Sequence, residues 1–392
     1  MHCYFAVSKV CNLRCSYCYV PEYNKSHQDS YDKKALSAAE RFVEKAETEK
    51  LPIESVTLHG AEPTILTAKT LGQIVNLFAK PTDNDVRIQS NGTRFTPRYL
   101  DELLSVIRDP AKFLFFIGIS MDGSAVIHNP QRNDTWDLVF RNIMELRARN
   151  FQIGLLAVVT SLTIKHLKEF GLWVEYMRSL VHSITFKLGE HGFGLTEEEK
   201  VQFARWLYGS RNIKQLQAFQ PDLCIQDGNE CEFYEFDIDG NCYSCNKNYL
   251  ETGVFANWFT EPFETVVSKR HRLYGSRPVD PECQTCLYQS ICHSGCPLTR
   301  EEGKSVDCRI KKEIYARFAE EGIDPELFFK IRRRSTSETI KIARFLGLLL
   351  KNRQMTIGEA QGKLQLTEEE RDDSLELIKK LHKDGVIKEG LC

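Results

Sequence analysis

Fourteen cysteines are distributed unevenly along this chain of 392 residues. Four lie within the first 18 residues, none lies between Cys18 and Cys224, and nine lie from Cys224 to Cys308. Cysteines that served only as small buried side chains would not leave such a gap. A disulfide framework is typical of small secreted domains rather than of a chain of this length. Short spacings between grouped cysteines indicate metal ligation.

Composition and charge exclude several other classes of protein. Hydrophobic residues make up 42% and charged residues 27% of the chain, which is ordinary for a globular protein. The net charge of −2 gives no overall attraction to nucleic acid or to a membrane surface. No run approaches the ~18 apolar residues of a membrane span. The N-terminus lacks a signal-peptide pattern, so we expect a cytoplasmic protein whose thiols stay reduced.

Residues 1–205 alternate between strand and helix patterns. Apolar runs predict strands at 2–8, 55–60, 85–92, 113–123, 153–161 and 183–189. Helical spacing of apolar residues predicts helices at 32–49, 71–79 and 136–149. Repeated β–α units predict an α/β fold with a parallel sheet, and about six units predict a partial (β/α)6 barrel. Functional loops should follow the carboxyl ends of its strands.

Two further regions follow the predicted barrel. Residues 206–315 hold nine cysteines and little helical periodicity, which predicts loops and hairpins around metal, including a hairpin at 237–245. Residues 316–392 predict a small helical appendage. It contains an apolar helix at 337–352, and the order of elements at 355–390 is mildly like that of a winged-helix module. The predicted domains are therefore 1–205, 206–315 and 316–392.

The first cysteine group directly follows the first predicted strand, with the spacing Cys11-x3-Cys15-x2-Cys18. Three thiolates on one short loop can ligate three irons of a [4Fe–4S] cubane and leave the fourth iron open. A zinc site would normally use four ligands, and no fourth lies nearby. The spacing therefore favours an iron–sulfur cluster with one open iron.

Three further short segments extend this pattern along the predicted barrel. Tyr17 supplies the aromatic residue of a Cys-x3-Cys-x-aromatic-Cys signature, and LHGAEP, QSNG and SMDG follow at 58–63, 89–92 and 120–123. Each segment alone could be a turn between a strand and a loop. All of them together, in this order, resemble the radical S-adenosylmethionine (SAM) superfamily. Ala61 stands where the family's GGEP segment has its second glycine.

This resemblance implies that SAM chelates the open iron of a [4Fe–4S] cluster held by Cys11, Cys15 and Cys18. Reductive cleavage of SAM then gives a 5′-deoxyadenosyl radical, so the cofactor carries the chemistry. The 58–63 segment is expected to hold the SAM amino group and Arg132 to pair with its carboxylate. The full set of implied SAM contacts is Tyr17, Gly60, Glu62, Pro63, Asn91, Ser120, Asp122 and Arg132.

The downstream cysteines resemble a second signature, the SPASM extension of radical SAM enzymes. The spacing is Cys283-x2-Cys286-x5-Cys292-x3-Cys296, followed by Cys308 and preceded by Gly240-x4-Cys245. The resemblance implies two auxiliary [4Fe–4S] clusters and therefore three clusters in all. Zinc is the alternative, because CxxC pairs also bind zinc. The implied ligands are Cys224, Cys231, Cys245 and Cys296 for the first auxiliary cluster, and Cys283, Cys286, Cys292 and Cys308 for the second.

Three cysteines remain outside this assignment. Cys3 lies on the first predicted strand and is expected in the core. Cys242, close to Cys245, is the alternative ligand in the hairpin, although Cys245 fits the Gly-x4-Cys spacing. Cys392, at the C-terminus, is expected to have no role.

Together these features resemble radical SAM/SPASM peptide maturases, including anaerobic sulfatase maturases and enzymes that cross-link ribosomal peptides. In the sulfatase maturases an Asp that can act as base follows the hairpin cysteine, and Asn246 stands at that position here. An amide does not accept a proton at neutral pH. The sequence therefore favours a peptide maturase that forms cyclophane-type or similar cross-links. Formylglycine formation in sulfatases is the alternative, and no catalytic side chain is identified.

Expected partners follow from the same resemblance. They are a precursor peptide, an electron donor such as flavodoxin or ferredoxin, and a separate leader-binding protein, unless residues 337–392 and the SPASM surface bind the leader. A non-catalytic iron–sulfur electron carrier is less consistent with the intact SAM-contacting segments. A DNA-associated regulator using residues 355–390 would need a basic stripe, and its Lys and Arg pairs lie beside as many acidic residues.

Overall fold

The computed structural model describes residues 1–18, 28–80, 82, 85–108, 116–190, 192–219, 231–243, 253–325 and 328. Several predicted features lie outside these ranges, namely Cys224, Cys245, Asn246, Cys392 and the helices at 337–352 and 355–390. In the part of the chain that is described, no helix is both long enough and apolar enough to cross a bilayer.

The strands and helices alternate through the first half of the chain. The strands are β1 (His2–Ser8), β2 (Ser55–Gly60), β3 (Val86–Ser90), β4 (Phe116–Ser120), β5 (Gln152–Val159), β6 (Ser183–Leu188), β7 (Phe233–Asp237), β8 (Asn241–Tyr243), β9 (Ala256–Asn257), β10 (Arg300–Glu301) and β11 (Lys304–Ser305). The helices are α1 (Gln28–Thr48), α2 (Ala68–Phe78), α3 (Pro97–Val106), α4 (Ala125–Gln131), α5 (Trp136–Ala148), α6 (Ser161–Lys165), α7 (Leu167–Arg178), α8 (Glu197–Gly209), α9 (Phe263–Gly275), α10 (Pro281–Gln284), α11 (Gln289–Cys292) and α12 (Cys308–Glu320).

The main sheet has nine strands in the order β6-β5-β4-β3-β2-β1-β7-β8-β9. Strands β1 to β6 pair in chain order and all in parallel, as the repeated β–α units predict. Parallel neighbours bring all six carboxyl ends to one edge of the sheet. The predicted parallel α/β architecture is thus confirmed, while the extent of a barrel and the domain limits stay predictions.

Strand β7 extends the parallel sheet on the other side of β1. It pairs with β1 in parallel, with Tyr4 opposite Glu235 and Ala6 opposite Asp237. Strands β8 and β9 then add antiparallel neighbours. Strand β1, which leads into the first cysteine group, therefore lies between β2 and β7.

The predicted hairpin turn connects β7 to β8. Gly240 has a φ of +79°, and its N–H donates to the Asp237 carbonyl at 2.9 Å. A Cβ at position 240 would lie 2.4 Å from the Phe259 ring, so glycine is required there. Lys9, just after β1, lies 3.0 Å from Asp237 Oδ2 and 2.8 Å from Asp239 Oδ2. The hairpin is thus tied to the segment that leads into the cysteine loop.

Aromatic packing joins this hairpin to the core of the parallel sheet. Phe42 of α1 is fully buried, and its ring centroid lies 5.3 Å from Phe5, 5.2 Å from Phe236 and 4.5 Å from Trp258. Helix α1 can reach all three because its apolar residues recur at helical spacing along one face. One core therefore supports both the parallel strands and the hairpin.

Candidate active site

An open cavity lies at the carboxyl ends of the six parallel strands. Every one of these strands, or the loop after it, contributes to the lining. Pro63 and Asp122 do not line the cavity but are buried directly behind it. The predicted site residues that line it are Cys11, Cys15, Tyr17, Cys18, Gly60, Glu62, Asn91, Ser120 and Arg132.

The cysteine loop is held on one side by the loop after β3. Asn12 Nδ2 donates to Thr93 Oγ1 at 2.8 Å, and Asn91 Nδ2 donates to Asn12 Oδ1 at 2.9 Å. Asn91 Nδ2 also lies 3.8 Å from Cys11 Sγ. The side chain of Asn91, predicted from the QSNG segment, therefore orients the cysteine loop as well as lining the cavity.

The other side of the loop is held by the residues at the end of α4. The Ser16 N–H donates to the Gln131 carbonyl at 2.9 Å, and the Arg14 N–H donates to Asn133 Oδ1 at 2.7 Å. The cysteine loop is thus held on both sides by protein contacts, from the loop after β3 and from the end of α4.

The geometry of the three thiols fits a cluster better than a single ion. Burial raises the pKa of the Cys11 thiol to about 12, so ligation of metal as a thiolate releases a proton. The three sulfurs do not all lie within 4.8 Å of one another. Sulfurs around one zinc ion at about 2.3 Å would be separated by about 3.8 Å. A cubane binds each thiolate on a different iron and holds them farther apart.

Glu62 connects the ends of β2 and β3. Its Oε1 accepts hydrogen bonds from the Thr64 N–H at 3.0 Å and the Ser90 hydroxyl at 2.7 Å, and its Oε2 accepts from the Asn91 N–H at 2.7 Å. Burial raises the pKa of Glu62. The hydrogen bonds act in the opposite direction, because they stabilise the carboxylate, but burial outweighs them. Both oxygens are thus used within the protein, so Glu62 shapes the cavity edge.

Gly60 allows β2 to pass close to β1 at the cavity edge. Its φ is +130°, and a Cβ there would lie 2.4 Å from the Ser8 carbonyl oxygen. The next N–H, of Ala61, donates to that same carbonyl at 3.0 Å. Ala61 does not have a positive φ, which explains why alanine can replace the second glycine of the family segment.

Replacing Gly60 by alanine should lower the free energy of unfolding by at least about 1–3 kcal/mol, because the new Cβ strains the backbone or displaces Ser8. Urea unfolding of the protein and its iron content after reconstitution would measure this effect. Ala61→Gly is the matched control, for which we expect a change within about 1 kcal/mol. Equal stability of Gly60→Ala and the wild type would contradict this account of the β1–β2 edge.

A buried ionic network lies behind the cysteine loop. Asp122, fully buried, accepts hydrogen bonds from Tyr17 Oη at 2.5 Å, from Arg132 Nε at 2.9 Å and from the Val158 N–H at 3.1 Å. Arg132 Nη1 lies 3.8 Å from Cys15 Sγ. Arg132 is thus held beside the cysteine loop by a carboxylate behind it.

The protonation states of this network follow from burial and charge. Burial opposes the charge of Arg132, but Asp122 beside it holds the pKa of the guanidinium well above its usual range. Burial lowers the pKa of His128 to about 4, so its ring is neutral at pH 7. Its Nδ1 then accepts from the Asp122 N–H at 3.3 Å, and its Nε2 lies 3.0 Å from Thr135 Oγ1.

Comparison with known proteins agrees with this site. The family model described as Radical SAM superfamily matches residues 5–174, which span β1, the cysteine loop and the strands up to β5. Residues 5–174 are therefore similar to the radical SAM superfamily. The chain is a radical SAM enzyme.

Curated relatives and solved structures extend the likeness beyond the matched region. The chain is 24% identical over 338 residues to a cysteine-type anaerobic sulfatase-maturating enzyme of Clostridium novyi. This alignment covers 75% of this chain and 87% of that protein. It is 21% identical over 345 residues to a serine-type anaerobic sulfatase-maturating enzyme of Bacteroides thetaiotaomicron. That alignment covers 75% of this chain and 81% of the relative.

Two solved structures share the fold. Native anSMEcpe with bound AdoMet has a TM-score of 0.66 at 19% identity and covers 81% of this chain and 97% of its own. Streptococcus suis SuiB bound to S-adenosylmethionine has a TM-score of 0.55 at 15% identity and covers 78% of this chain and 75% of its own. The radical SAM fold therefore accounts for most of the chain.

A second cysteine-lined cavity lies downstream of the radical SAM site. Its lining includes Cys283, Cys286, Cys292 and Cys308. These are the four cysteines that the resemblance to the SPASM extension assigns to the second auxiliary cluster. As in the first group, no three of their sulfurs lie within 4.8 Å of one another.

The remaining described cysteines are more deeply buried. Cys296 is 5% exposed and Cys231 is 8% exposed, with Tyr274 Oη 3.6 Å from the Cys231 sulfur. Cys3 and Cys242 both lie in the hydrophobic core, as expected for Cys3. Burial raises the pKa of Cys242 to about 12, and its thiol donates to the Gly240 carbonyl at 3.7 Å. The position of Cys242 in the core does not favour it as the alternative ligand.

The sequence analysis missed two side-chain pairs near the radical SAM site. His59 lines the cavity, and its Nε2 lies 3.3 Å from Glu235 Oε1 on β7. Lys187 and Glu190, at the end of β6, also line it and lie 3.7 Å apart. The available signals were a histidine directly before Gly60 and a glutamate in the otherwise aromatic start of β7.

Proposed function

We propose that this enzyme is a maturase that oxidises a side chain of a ribosomally made precursor peptide and forms an intramolecular cross-link of the cyclophane type or similar. The observation that carries the proposal is the open cavity at the strand ends, where the three-cysteine loop meets residues of all six parallel strands. Its opening to solvent suits a side chain presented on a peptide.

The chain's own residues would bind and orient the cofactors in this cavity. Cys11, Cys15 and Cys18 would hold the cluster, and Arg132 would face the SAM carboxylate while Asp122 keeps it charged and in place. The segment at 58–63 would hold the SAM amino group. SAM bound there supplies a radical that removes a hydrogen atom from carbon. The remaining proposed contacts are Tyr17, Gly60, Glu62, Pro63, Asn91 and Ser120.

Two auxiliary [4Fe–4S] clusters complete the proposal. The shared cavity of Cys283, Cys286, Cys292 and Cys308 supports the second of them. The first would use Cys224, Cys231, Cys245 and Cys296, of which Cys224 and Cys245 lie outside the described residues. These clusters would pass electrons out of the substrate and toward a flavodoxin or ferredoxin. We place the protein in the cytoplasm, with the domains 1–205, 206–315 and 316–392.

The peptide substrate is supported by the likeness to SuiB, a structure of which contains the precursor peptide SuiA. Cross-linking is favoured because Asn246 stands where sulfatase maturases have an acidic base. Leader recognition would come from a separate protein, or from residues 337–392 with the auxiliary-cluster surface.

Formylglycine formation on a sulfatase is the second candidate. The curated relatives favour it, since enzymes named as sulfatase-maturating match about three quarters of this chain. Both candidate reactions remove two hydrogens from the peptide substrate, so they would share the same cavity and cofactors.

Incubation with a short precursor peptide should give a product about two mass units lighter per cross-link, because each link removes two hydrogens. Tandem mass spectrometry would locate the link. A sulfatase-motif peptide, treated with the same enzyme preparation, is the control and should give no aldehyde trapped by hydrazine. An aldehyde on that peptide, with no cross-link in the precursor, would replace the proposed function by the second candidate.

A further inference from the structure

Both candidate reactions need a proton acceptor as well as a radical. The first hydrogen leaves the substrate as an atom, and the second leaves as a proton while its electron passes to an iron–sulfur cluster. Asn246 does not supply a base. A group able to accept the proton should therefore lie elsewhere in the cavity lining.

Glu235 of β7 is a fully buried carboxylate without a hydrogen bond. Its side chain is 0% exposed, and among the described residues neither of its oxygens has a hydrogen-bond partner. A charge taken out of water without a partner is costly, so such a group needs a reason to be there. Its ionic neighbour is His59, whose Nε2 lies 3.3 Å from Glu235 Oε1.

His59 separates this carboxylate from the cavity. Its ring lies in the cavity lining, whereas Glu235 does not. Tyr4 packs edge-on against the imidazole with ring centroids 5.4 Å apart, which restricts the orientation of the ring. Because Nε2 points toward Glu235, Nδ1 is the ring nitrogen that remains for a substrate.

The sheet topology brings the two residues together. His59 is the penultimate residue of β2 and Glu235 lies on β7, and these two strands flank β1. Ala6 of β1 is opposite His59, and Tyr4 of β1 is opposite Glu235. The pair therefore spans β1 directly beneath the start of the cysteine loop.

We propose that His59 is the general base that accepts the substrate proton, and that Glu235 is the residue that positions it. This inference rests on the proposed function. The substrate C–H bond breaks first, with the hydrogen atom passing to the SAM-derived radical. When the second bond to hydrogen breaks, the proton passes to His59 Nδ1 and the electron to an iron–sulfur cluster. The Glu235 carboxylate stabilises the imidazolium that results.

His59→Gln should lower the yield of oxidised peptide per deoxyadenosine at least about 100-fold, because general bases contribute about 10²–10⁴-fold. Glu235→Gln keeps the shape of the side chain and should lower the same ratio at least about tenfold. His182→Gln, at an exposed histidine before β6, is the matched control and should match the wild type. Iron content, measured on each variant, would separate loss of the base from loss of the cluster.

Added imidazole should restore part of the yield in His59→Ala and none in Glu235→Gln, a difference that a purely structural role would not give. A readout independent of turnover is labelling of the reconstituted protein by diethyl pyrocarbonate. Peptide mass spectrometry should find His59 modified, and less so with SAM or peptide present.

Wild-type yield in His59→Gln, or an unmodified His59 in the labelling experiment, would overturn the assignment. An aldehyde product in place of a cross-link would contradict the proposed function but not the role of His59. The same ratio would then still test His59, because that reaction also releases a proton and an electron.

Discussion

Replacing Cys11, Cys15 and Cys18 together by alanine should abolish deoxyadenosine formation and reduce the iron content from about 12 to about 8 atoms per chain. The loop would no longer bind the cluster on which SAM is cleaved. The downstream cysteines line a separate cavity and should keep their irons. Iron analysis after anaerobic reconstitution and chromatographic assay of deoxyadenosine would measure both effects.

Cys3→Ala is the matched control for this triple variant. Cys3 is a core residue on β1, so its replacement should change neither iron content nor deoxyadenosine formation. Retained SAM cleavage in the triple variant would show that the SAM cluster lies elsewhere. A wild-type iron content near four, with zinc present, would exclude the auxiliary clusters.

Replacing Asp122 by alanine should lower the free energy of unfolding by about 3–5 kcal/mol, because it leaves the buried guanidinium of Arg132 without its carboxylate. The change also removes the acceptor for Tyr17 and for the Val158 N–H. The cysteine loop should lose iron more readily as a result. Chemical unfolding of the reconstituted protein, with iron loss to a chelator followed in parallel, would measure this.

Asp101 offers a matched control on the protein surface. It pairs with Arg149 at 3.0 Å, but its side chain is 69% exposed. Such exposed pairs are worth about 0–1 kcal/mol, so Asp101→Ala should have little effect on stability or iron. Similar losses for Asp122→Ala and Asp101→Ala would refute the role given to the buried network.

Local patterns were sufficient to predict much of the fold. Strands β1 and β2 have the predicted bounds because their apolar runs end at residues that change the backbone direction, Ser8 and Gly60. Helix α1 follows from the helical spacing of its buried face, although it begins at Gln28 rather than at residue 32. The four radical SAM segments converge on one cavity because each ends a parallel strand.

Other features depend on contacts between distant parts of the chain. The pairing of β7 with β1 joins segments far apart in sequence, and no local pattern indicates that it is parallel. The His59–Glu235 pair depends on that pairing and was missed with it. The sequence also does not show that Glu62 accepts hydrogen bonds from Ser90 and Asn91 and so joins the ends of β2 and β3.

The position of β1 between β2 and β7 has a consequence for synthesis of the chain. One edge of β1 can pair with β2 once residue 60 has left the ribosome, but the other edge stays open until residues 233–237 emerge. An open strand edge can pair with other chains. A nascent chain therefore carries its cysteine loop on a half-paired strand from the synthesis of β2 until the synthesis of β7. Premature termination before β7 should give insoluble fragments, even though the three cysteines and the six parallel strands are already present.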